Sequence, residues 1–185
     1  MRQRGLAGRA YWLSGQSGTG KTTIARLLAA DVACEFCTEE IDATDLSAAR
    51  VKEIERSSQT RGLDGRGRAY IVNEAHGLNR AAIRQLLVVL ERVPQHVAWA
   101  FTTTCDGQDS LFDDYDDAHP LLSRCVVLPL SRRGLAEPFA ERARAIAQAE
   151  GLDGKPIGDY LRLAKDCRNN FRMMLQRIEA GAMAD

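Results

Sequence analysis

Apolar runs alternate with helical patterns over the first 130 residues of the chain. Short apolar runs predict buried strands at Tyr11–Leu13, Ala69–Val72, Val97–Thr102 and Val126–Leu130. Apolar residues spaced three and four apart predict helices at Thr22–Ala33, Leu46–Ser57 and Asn79–Arg92. The expected N-cap of the third helix is Asn79. Strands that alternate with helices are typical of an α/β fold with a parallel sheet flanked by helices.

After about residue 130 the strand pattern ends. The helices predicted in this part are Glu137–Glu150, Ile157–Ala164 and Arg168–Ala180. The first has Pro138 in its first turn and Gly151 just past its end, the positions at which these residues are favoured. We therefore expect an α/β domain over residues 1–130 and a small all-helical domain over residues 131–185.

Two polar segments predict loops, Gln59–Arg68 and Cys105–Pro120. The first carries Arg61, Arg66 and Arg68, for which a solvated loop is favoured over contacts with a DNA backbone. The second is rich in aspartate, but its spacing does not match a calcium-binding EF-hand loop. A solvated acidic loop is therefore favoured there over a metal site.

Composition excludes some classes of function. The 185 residues carry 25 basic and 25 acidic side chains. The chain therefore lacks the excess of basic residues that would indicate a nucleic-acid-binding protein. No apolar run approaches the roughly 20 residues that span a bilayer, so we expect no membrane association. Five cysteines, an odd number, favour reduced thiols in a cytoplasmic protein.

The segment after the first predicted strand carries the clearest chemistry. Its residues are Gly15, Gln16, Ser17, Gly18, Thr19, Gly20, Lys21 and Thr22, which fit the phosphate-binding pattern G-x-x-x-x-G-K-[ST]. Glycines let backbone N–H groups point inward around anionic oxygens, and the following helix N-terminus adds positive potential. Lys21 is expected to reach the β- and γ-phosphates, and Thr22 to offer its hydroxyl to Mg²⁺. With Thr23, these residues form the predicted ATP site.

A second motif is expected at the same site. The strand over 69–72 ends in Asn73 and Glu74, and ligands bind at the carboxyl ends of strands in parallel sheets. Glu74 is therefore a candidate to orient and deprotonate a water that attacks the γ-phosphate. The alternative interpretation is a solvated acidic residue in a turn.

The order of these motifs resembles the clamp-loader ATPases of the AAA+ superfamily, namely the bacterial gamma/tau and delta-prime subunits and the replication factor C subunits. The similarity is strong at Arg9–Leu28, at Ala69–Thr104 and at the LSRC sequence of Leu122–Cys125. The EIDA sequence of Glu40–Ala43 also resembles the second strand of that family.

The resemblance implies a role for each matched residue. Lys21 and Thr22 match Walker A, and Asn73 and Glu74 match Walker B, with Thr22 and Asn73 on the magnesium side. Thr104 matches sensor 1, which helps to place the attacking water. The remaining matches are two arginines: Arg124 matches the arginine finger that reaches a neighbouring subunit's nucleotide, and Arg168 matches sensor 2 on the helical lid.

The sequence also departs from the family pattern. Asn73 replaces the Walker B aspartate, which supports Mg²⁺ through its water shell. Nucleotide binding rests on Gly15–Thr22, whereas hydrolysis depends also on this altered position. Lys165 stands where sensor 2 motifs usually have glycine. The chain begins 14 residues before Gly15, and its last predicted helix ends at Ala180, so we expect neither the usual adenine-enclosing segment nor the family's C-terminal collar domain.

Cys34 and Cys37 form a C-x-x-C pair near the point where bacterial relatives carry a zinc module. We do not expect zinc here, because structural zinc needs four ligands and no second cysteine pair follows. His76, beside Glu74, is expected to have a structural role.

The favoured function is an ATPase, a clamp-loader-type subunit that binds ATP and Mg²⁺ and hydrolyses ATP in an oligomer during DNA replication. By resemblance its partners are neighbouring AAA+ subunits, a sliding clamp and primed DNA. An alternative is a non-hydrolysing assembly subunit that donates Arg124 to a partner, which Asn73 favours. A small-molecule kinase also uses such a loop, but no acceptor-binding motif supports it.

Overall fold

A computed structural model describes residues 5–62, 65–104 and 118–184 of the chain. The chain forms two compact units. The first contains the chain up to Gly15 and Lys21–Pro129, and the second contains Gln16–Gly20 and the chain from Leu130 onward. Five residues of the phosphate-binding pattern are thus grouped with the C-terminal helices. The predicted domain boundary at residue 130 stays a prediction.

The first unit is built on a five-stranded sheet. Its strands are β1 (Arg9–Gly15), β2 (Thr38–Asp42), β3 (Arg68–Asn73), β4 (Val97–Thr103) and β5 (Cys125–Leu130). They lie in the order β2-β3-β4-β1-β5, and the β2–β3, β3–β4 and β4–β1 pairs are parallel. The carboxyl ends of these strands therefore meet at one edge of the sheet, where ligands bind in such folds.

Helices cover both faces of the sheet because successive strand residues point to opposite sides. The helices of this unit are α1 (Lys21–Val32), α2 (Ala48–Ser57), α3 (Arg80–Leu90) and α4 (Ala118–Ser123). Trp12 stacks on Phe101, with ring centroids 5.7 Å apart, in the core that contains α2 and α3 residues. Tyr11 and Leu13 point to the other face, where they pack with the α1 residues Ala25 and Ala29.

The start of α3 follows from its sequence. The side chain of Asn79 accepts a hydrogen bond from the backbone N–H of Ala82 at 2.9 Å, which satisfies one of the free donors at the helix N-terminus. The predicted N-cap is confirmed. Ile83, Leu86 and Leu90 then lie on the buried face of the helix, as their spacing predicts.

The second unit contains α5 (Ala136–Ala149), α6 (Ile157–Asp166) and α7 (Phe171–Glu179). Small residues of α5, Ala140 and Ala143, share a core with Tyr160 of α6 and with Met174 and Ile178 of α7. Small side chains on one helix let bulky ones from its neighbours fill the space between them at close-packed density. The predicted fold class is confirmed: a parallel α/β sheet flanked by helices is followed along the chain by a helical part.

Two predicted boundaries are wrong. Helix α7 begins at Phe171 rather than Arg168, because Arg168 and Asn169 adopt left-handed φ angles of 50° and 55°, which a right-handed helix excludes. The loop predicted to run to Pro120 ends earlier, since Ala118–Ser123 is helical and proline is tolerated in a first turn. The aspartate-rich residues 105–117 lie outside the described residues.

Strand β2 was missed by the hydrophobic pattern and found only through the resemblance at Glu40–Ala43. It covers Thr38–Asp42, an edge strand with three acidic residues among five, and such a strand lacks the apolar run of a buried one. Among the described residues, no helix combines the length and apolar character that a membrane crossing needs. Within the described ranges no disulfide joins the cysteines, which are Cys34, Cys37, Cys125 and Cys167.

Candidate nucleotide-binding site

The phosphate-binding pattern lies where β1 ends and α1 begins. Lys21 is the first residue of α1, and only 7% of its surface is exposed. Its Nζ donates a hydrogen bond to the carbonyl oxygen of Gly15 at 2.9 Å. A buried ammonium held at the start of a helix adds its charge to the helix dipole, and both favour an anion.

The loop residues Gln16–Gly20 pack within the second unit. Gly18 and Gly20 have φ angles of 77° and 87°, which favour glycine, and the Thr19 hydroxyl donates to the carbonyl oxygen of Gln16 at 2.8 Å. The backbone N–H of Phe171, at the start of α7, donates to the carbonyl oxygen of Gly18 at 3.1 Å. The loop therefore rests on the start of a helix from the C-terminal part of the chain.

Two side chains reinforce that contact. The guanidinium of Arg132 donates to the carbonyl oxygen of Ser17. Asn170, which caps α7 by accepting from the N–H of Met173 at 3.1 Å, lies against Gly18. A Cβ atom at Gly18 would come within 1.9 Å of the Asn170 Oδ1 atom. A side chain at this position would therefore require Asn170 to leave its capping position, and the φ angle of 77° would add backbone strain.

Thr22 and Asn73 meet in the first unit at the end of the sheet. The Thr22 hydroxyl donates to Oδ1 of Asn73 at 3.3 Å, and the hydroxyl of Thr102 on β4 donates to the same oxygen at 3.0 Å. A carbonyl oxygen has two lone pairs, so these two hydroxyls satisfy it. Donation of its proton to Asn73 leaves the oxygen lone pairs of Thr22 available for a cation.

The amide nitrogen of Asn73 contacts a carboxylate. Its Nδ2 donates to Oε1 of Glu40 at 2.6 Å, and Arg26 of α1 holds Glu40 through two hydrogen bonds of 2.8 and 3.1 Å. The hydrogen bond from Arg26 lowers the pKa of Glu40 most strongly; partial burial opposes it and the Asn73 amide adds to it. Glu40 is thus an ionised carboxylate beside the Walker B position.

Glu74 follows β3 in a left-handed conformation, with φ 50° and ψ 51°. For a residue other than glycine this conformation costs about 1–3 kcal/mol, and such strain concentrates at functional sites. Its carboxylate is more than half exposed and lies 3.5 Å from Nδ1 of His76. That His76 nitrogen is also 3.3 Å from the hydroxyl of Thr103, which links Glu74 to the end of β4.

The other predicted site residues are not among the hydrogen-bond partners of Thr22 and Asn73 described above. Thr104 directly follows β4 and is partly buried, and Thr23 is exposed on α1. Arg124 donates to the carbonyl oxygen of Pro120 at 2.8 Å and forms an ion pair with Glu91, at the end of α3. Arg168 is exposed in the second unit, in the turn between α6 and α7.

The residues at the end of the sheet suit Mg²⁺ bound together with phosphate. Mg²⁺ prefers oxygen ligands and usually keeps several waters, with few ligands from the protein. The Thr22 hydroxyl, oriented by Asn73, presents one oxygen of that kind. Over residues 5–62, 65–104 and 118–184, no group of three or more histidine, cysteine or acidic side chains could hold a metal by itself. Cys34 and Cys37 are partly buried and are not joined by a disulfide.

Sequence reasoning missed three residues of this arrangement: Arg26, Glu40 and Thr102. Thr102 could have been found, because Thr102 and Thr103 are the polar residues at the end of an otherwise apolar strand. Glu40 could not be placed from its own segment, since its contact with Asn73 depends on β2 lying beside β3. Arg26 follows Thr22 by four residues and so shares its helix face, but only the position of Glu40 gives it a partner.

A glycine-rich loop between a buried strand and a helix, with polar residues at the end of the neighbouring parallel strand, defines a P-loop nucleoside triphosphatase fold. Residues 11–127 match the ATPase family associated with various cellular activities (AAA). The match covers more than half of the chain, and the chain belongs to that family.

Curated relatives of this chain include subunits of DNA polymerase III. The chain is 31% identical over 118 residues to DNA polymerase III subunit gamma of Buchnera aphidicola, an alignment covering 51% of this chain and 33% of that protein. It is 32% identical over 140 residues to the tau subunit of Escherichia coli, covering 63% of this chain and 20% of that protein. The chain thus spans well under half the length of these relatives.

The fold matches solved structures at low sequence identity. A RuvB variant of Thermotoga maritima matches with a TM-score of 0.73 at 20% identity, covering 92% of this chain and 54% of the other. A DNA polymerase III gamma subunit-related protein from Thermotoga maritima matches with a TM-score of 0.66 at 13% identity, covering 95% and 54%. At these identities the likeness concerns the fold alone.

Proposed function

We propose that this chain is an ATP-binding AAA+ module of the clamp-loader type, which hydrolyses ATP to ADP and phosphate when it is assembled with neighbouring subunits. The observation that carries the proposal is the buried Lys21 ammonium beside Thr22, which is hydrogen-bonded to Asn73 at the carboxyl end of a parallel sheet. A cation, a hydroxyl and a helix N-terminus that lie together fit a magnesium–triphosphate complex.

Each predicted residue has a part in this proposal. The backbone N–H groups of residues 15–20 and of Thr23 surround the phosphates, Lys21 neutralises them, and Thr22 with Asn73 serves the magnesium ion. Glu74 orients the attacking water and accepts its proton, and Thr104 helps to position that water. Arg124 acts on the nucleotide of a neighbouring subunit, and Arg168 brings the helical lid to the nucleotide.

The partners are proposed from the relatives. Several are gamma and tau subunits of DNA polymerase III, and we therefore propose neighbouring AAA+ subunits, a sliding clamp and primed DNA as partners, in the cytoplasm. We further propose that nucleotide binding closes the helical lid on the nucleotide. A neighbour's arginine then couples hydrolysis to the shape of the assembly.

A second function is favoured by Asn73. A neutral amide at this position carries no charge toward Mg²⁺, which would slow a step that depends on the metal more than it weakens binding. The chain would then be a nucleotide-dependent assembly subunit that binds ATP, does not hydrolyse it, and supplies Arg124 to a partner.

Two measurements test the proposal and separate the candidates. Calorimetry of Mg·ATP binding should show saturable binding that Lys21→Ala abolishes, because the buried ammonium is lost. Phosphate release at high protein concentration, with and without primed DNA, should show turnover that the same variant lacks. Tight binding without turnover would replace the first candidate with the second, and no nucleotide binding would exclude both.

The assembly is tested by mass measurement with and without a non-hydrolysable ATP analogue. A ring or partial ring that forms only with the analogue is expected. A monomer under both conditions, at concentrations that saturate the nucleotide site, would contradict the oligomeric part of the proposal.

A further inference from the structure

Two carbonyl oxygens at the start of the phosphate loop accept hydrogen bonds from the motif itself. The Nζ atom of Lys21 donates to Gly15 at 2.9 Å. The hydroxyl of Thr19 donates to Gln16 at 2.8 Å. Such bonds matter in an anion site, because a carbonyl oxygen that turned inward would repel the phosphate that the loop N–H groups bind.

The next two carbonyls of the loop take their donors from the C-terminal part of the chain. The guanidinium of Arg132, in the segment between β5 and α5, donates to the carbonyl oxygen of Ser17. The backbone N–H of Phe171, the first residue of α7, donates to that of Gly18 at 3.1 Å. Arg132 is itself anchored, since Nδ2 of Asn169 donates to its carbonyl oxygen at 2.8 Å. Residues 16–20 and both donors belong to one compact unit.

These two bonds fix the direction of two loop N–H groups. In a trans peptide the C=O of one residue and the N–H of the next point in opposite directions. A bond that holds the Ser17 carbonyl on one side therefore turns the N–H of Gly18 to the other, and the bond to the Gly18 carbonyl does the same for Thr19. Over the described ranges these two N–H groups have no hydrogen-bond partner within the chain. They are therefore available to an anion.

The glycines of the loop permit this shape but do not select it. Glycine loses more conformational freedom on ordering than any other residue, so a loop with glycine at positions 15, 18 and 20 is costly to order when the ligand arrives. Contacts that already order the loop in the free protein remove part of that cost. A guanidinium suits this task because it has several donors, no acceptor, and no neutral form at working pH.

We propose that the C-terminal helical part presets the phosphate loop, with Arg132 as a positioning residue and the N–H of Phe171 as its backbone counterpart. They hold the carbonyls of Ser17 and Gly18 away from the ligand and so turn two N–H groups toward phosphate before nucleotide binds. The inference rests on the proposed function, since it concerns how the same site receives its triphosphate. Its consequence is that residues outside the motif set the affinity for triphosphate without touching it.

The first test removes one of the two donors. The probes are ATP and inorganic tripolyphosphate, each titrated with Mg²⁺ into protein that circular dichroism shows to be folded. Arg132→Ala should weaken the binding of both probes by the same factor, about tenfold, because the loop acts on the phosphates and not on the nucleoside. Arg132→Lys, which keeps a donor of nearly the same reach, should lose only about threefold.

Arg133→Ala is the matched control. Arg133 is the next residue of the same segment, and its side chain is exposed. Its substitution removes the same charge from the same part of the chain but leaves the bond to Ser17 in place. Exposed charges are screened by salt, so the affinity for both probes should stay within about twofold of that of the unaltered chain.

The second donor is tested by a pair of substitutions at Phe171. Phe171→Pro removes the N–H and places a ring carbon where its hydrogen faced the Gly18 carbonyl, which pushes that carbonyl aside. Proline is favoured at the first position of a helix, and Asn170 before it already has the extended backbone that a following proline requires. Phe171→Ala keeps the N–H, and both variants lose the ring that packs on Phe139. Phe171→Pro should therefore bind tripolyphosphate about tenfold more weakly than Phe171→Ala.

Nuclear magnetic resonance gives a direct readout of the two N–H groups. The amide signals of Gly18 and Thr19 should shift when tripolyphosphate saturates the unaltered chain, because each N–H gains a charged acceptor. A residue that only anchored the helices would not change these ligand-induced shifts. In Arg132→Ala the shift of the Gly18 signal should be smaller at saturation.

Three outcomes would count against the proposal. Equal tripolyphosphate affinity in Arg132→Ala and the unaltered chain would overturn it, and so would a loss confined to ATP, which would mean that Arg132 acts on the nucleoside. Both results leave nucleotide binding itself intact. If the unaltered chain bound neither probe, the proposed function would fail, and this inference with it. Should Phe171→Pro not fold, the Arg132 and Arg133 variants decide the question alone.

Discussion

At the scale of single residues, Gly18 is the most constrained position of the phosphate loop. It combines a φ angle of 77° with direct contact to Asn170, whereas Gly20, with a φ angle of 87°, has open space where a Cβ would be. Gly20→Ala should therefore cost only the backbone strain, roughly 1–2 kcal/mol. Gly18→Ala should cost about 1 kcal/mol more, because the Asn170 side chain must move away from the methyl group and give up its cap of α7.

Urea unfolding of the nucleotide-free protein measures this difference. The double variant G18A/N170A isolates the contact, since Asn170→Ala removes the overlapping atoms but also the α7 cap, itself worth about 1 kcal/mol. The two substitutions should be less than additive. Equal stability of Gly18→Ala and Gly20→Ala would show that the Asn170 contact carries no energy.

The residues proposed to bind phosphate stand out in the sequence because their chemistry is local. Gly15–Thr22 are consecutive, so one loop and one helix N-terminus bring them together. The contacts of Asn73 are different in kind: Thr22, Glu40 and Thr102 come from α1, β2 and β4. Their meeting depends on strand order and register, which no short segment encodes.

At the scale of elements, Asp153 joins the two longest helices of the second unit. It lies between α5 and α6 and accepts hydrogen bonds from Gln148 at 2.9 Å, Tyr160 at 3.0 Å and Arg144 at 3.2 Å. Partial burial raises the pKa of Asp153, but these hydrogen bonds outweigh it, and the pKa is lowered overall. Burial, with the bond to Asp153, raises the pKa of Tyr160 to about 12, so Tyr160 stays a donor.

This arrangement predicts a pH dependence of stability. A carboxyl group whose pKa is lowered by folding stabilises the protein above its unfolded pKa, near 3.9, and this contribution is lost as the pH falls through the folded value. Asp153→Asn should therefore be less stable than the unaltered chain at pH 6, and the difference should shrink toward pH 3. Circular dichroism during urea unfolding at both pH values measures it.

Asp159→Asn serves as the control, because Asp159 pairs with Arg162, whose side chain is 76% exposed. Exposed pairs contribute little, so this variant should behave like the unaltered chain at both pH values. A gap between Asp153→Asn and the unaltered chain that stays constant from pH 6 to pH 3 would contradict the role given to the carboxylate.

The elements that could be predicted are those with a buried face. The apolar runs of β1, β3 and β4, and the three-and-four spacing of α3, follow directly from what each element buries. Strand β2 lies at the sheet edge with a polar composition, so its strand character comes from pairing with β3 rather than from its own sequence. The start of α7 is set by the left-handed conformation of Arg168 and by the Asn170 cap. Neither feature can be recognised from the spacing of apolar residues.

At the scale of the whole molecule, the proposed role of Arg124 requires a second copy or a related subunit. Within the chain, Arg124 is paired with Glu91, whose side chain is 56% exposed. Breaking such a partly exposed pair costs about 1 kcal/mol or less. An arginine finger contributes roughly 10³–10⁵-fold to hydrolysis, which is about 4–7 kcal/mol at the transition state. The contact with Glu91 is therefore weak enough for a neighbour's nucleotide to displace it.

Mixing two defective variants tests that role. Glu74→Gln should still bind nucleotide and assemble, and it keeps Arg124 but lacks the proposed base, whereas Arg124→Ala binds nucleotide but offers no finger. Each variant alone should be inactive, and an equimolar mixture should regain activity, because in a randomly mixed closed assembly about one interface in four joins an intact Glu74 to a neighbour's Arg124. Arg92→Ala, which removes an exposed arginine just after α3, should need no such rescue. If the unaltered chain hydrolyses ATP and both variants assemble, a mixture that stays inactive would show that Arg124 does not act across the interface.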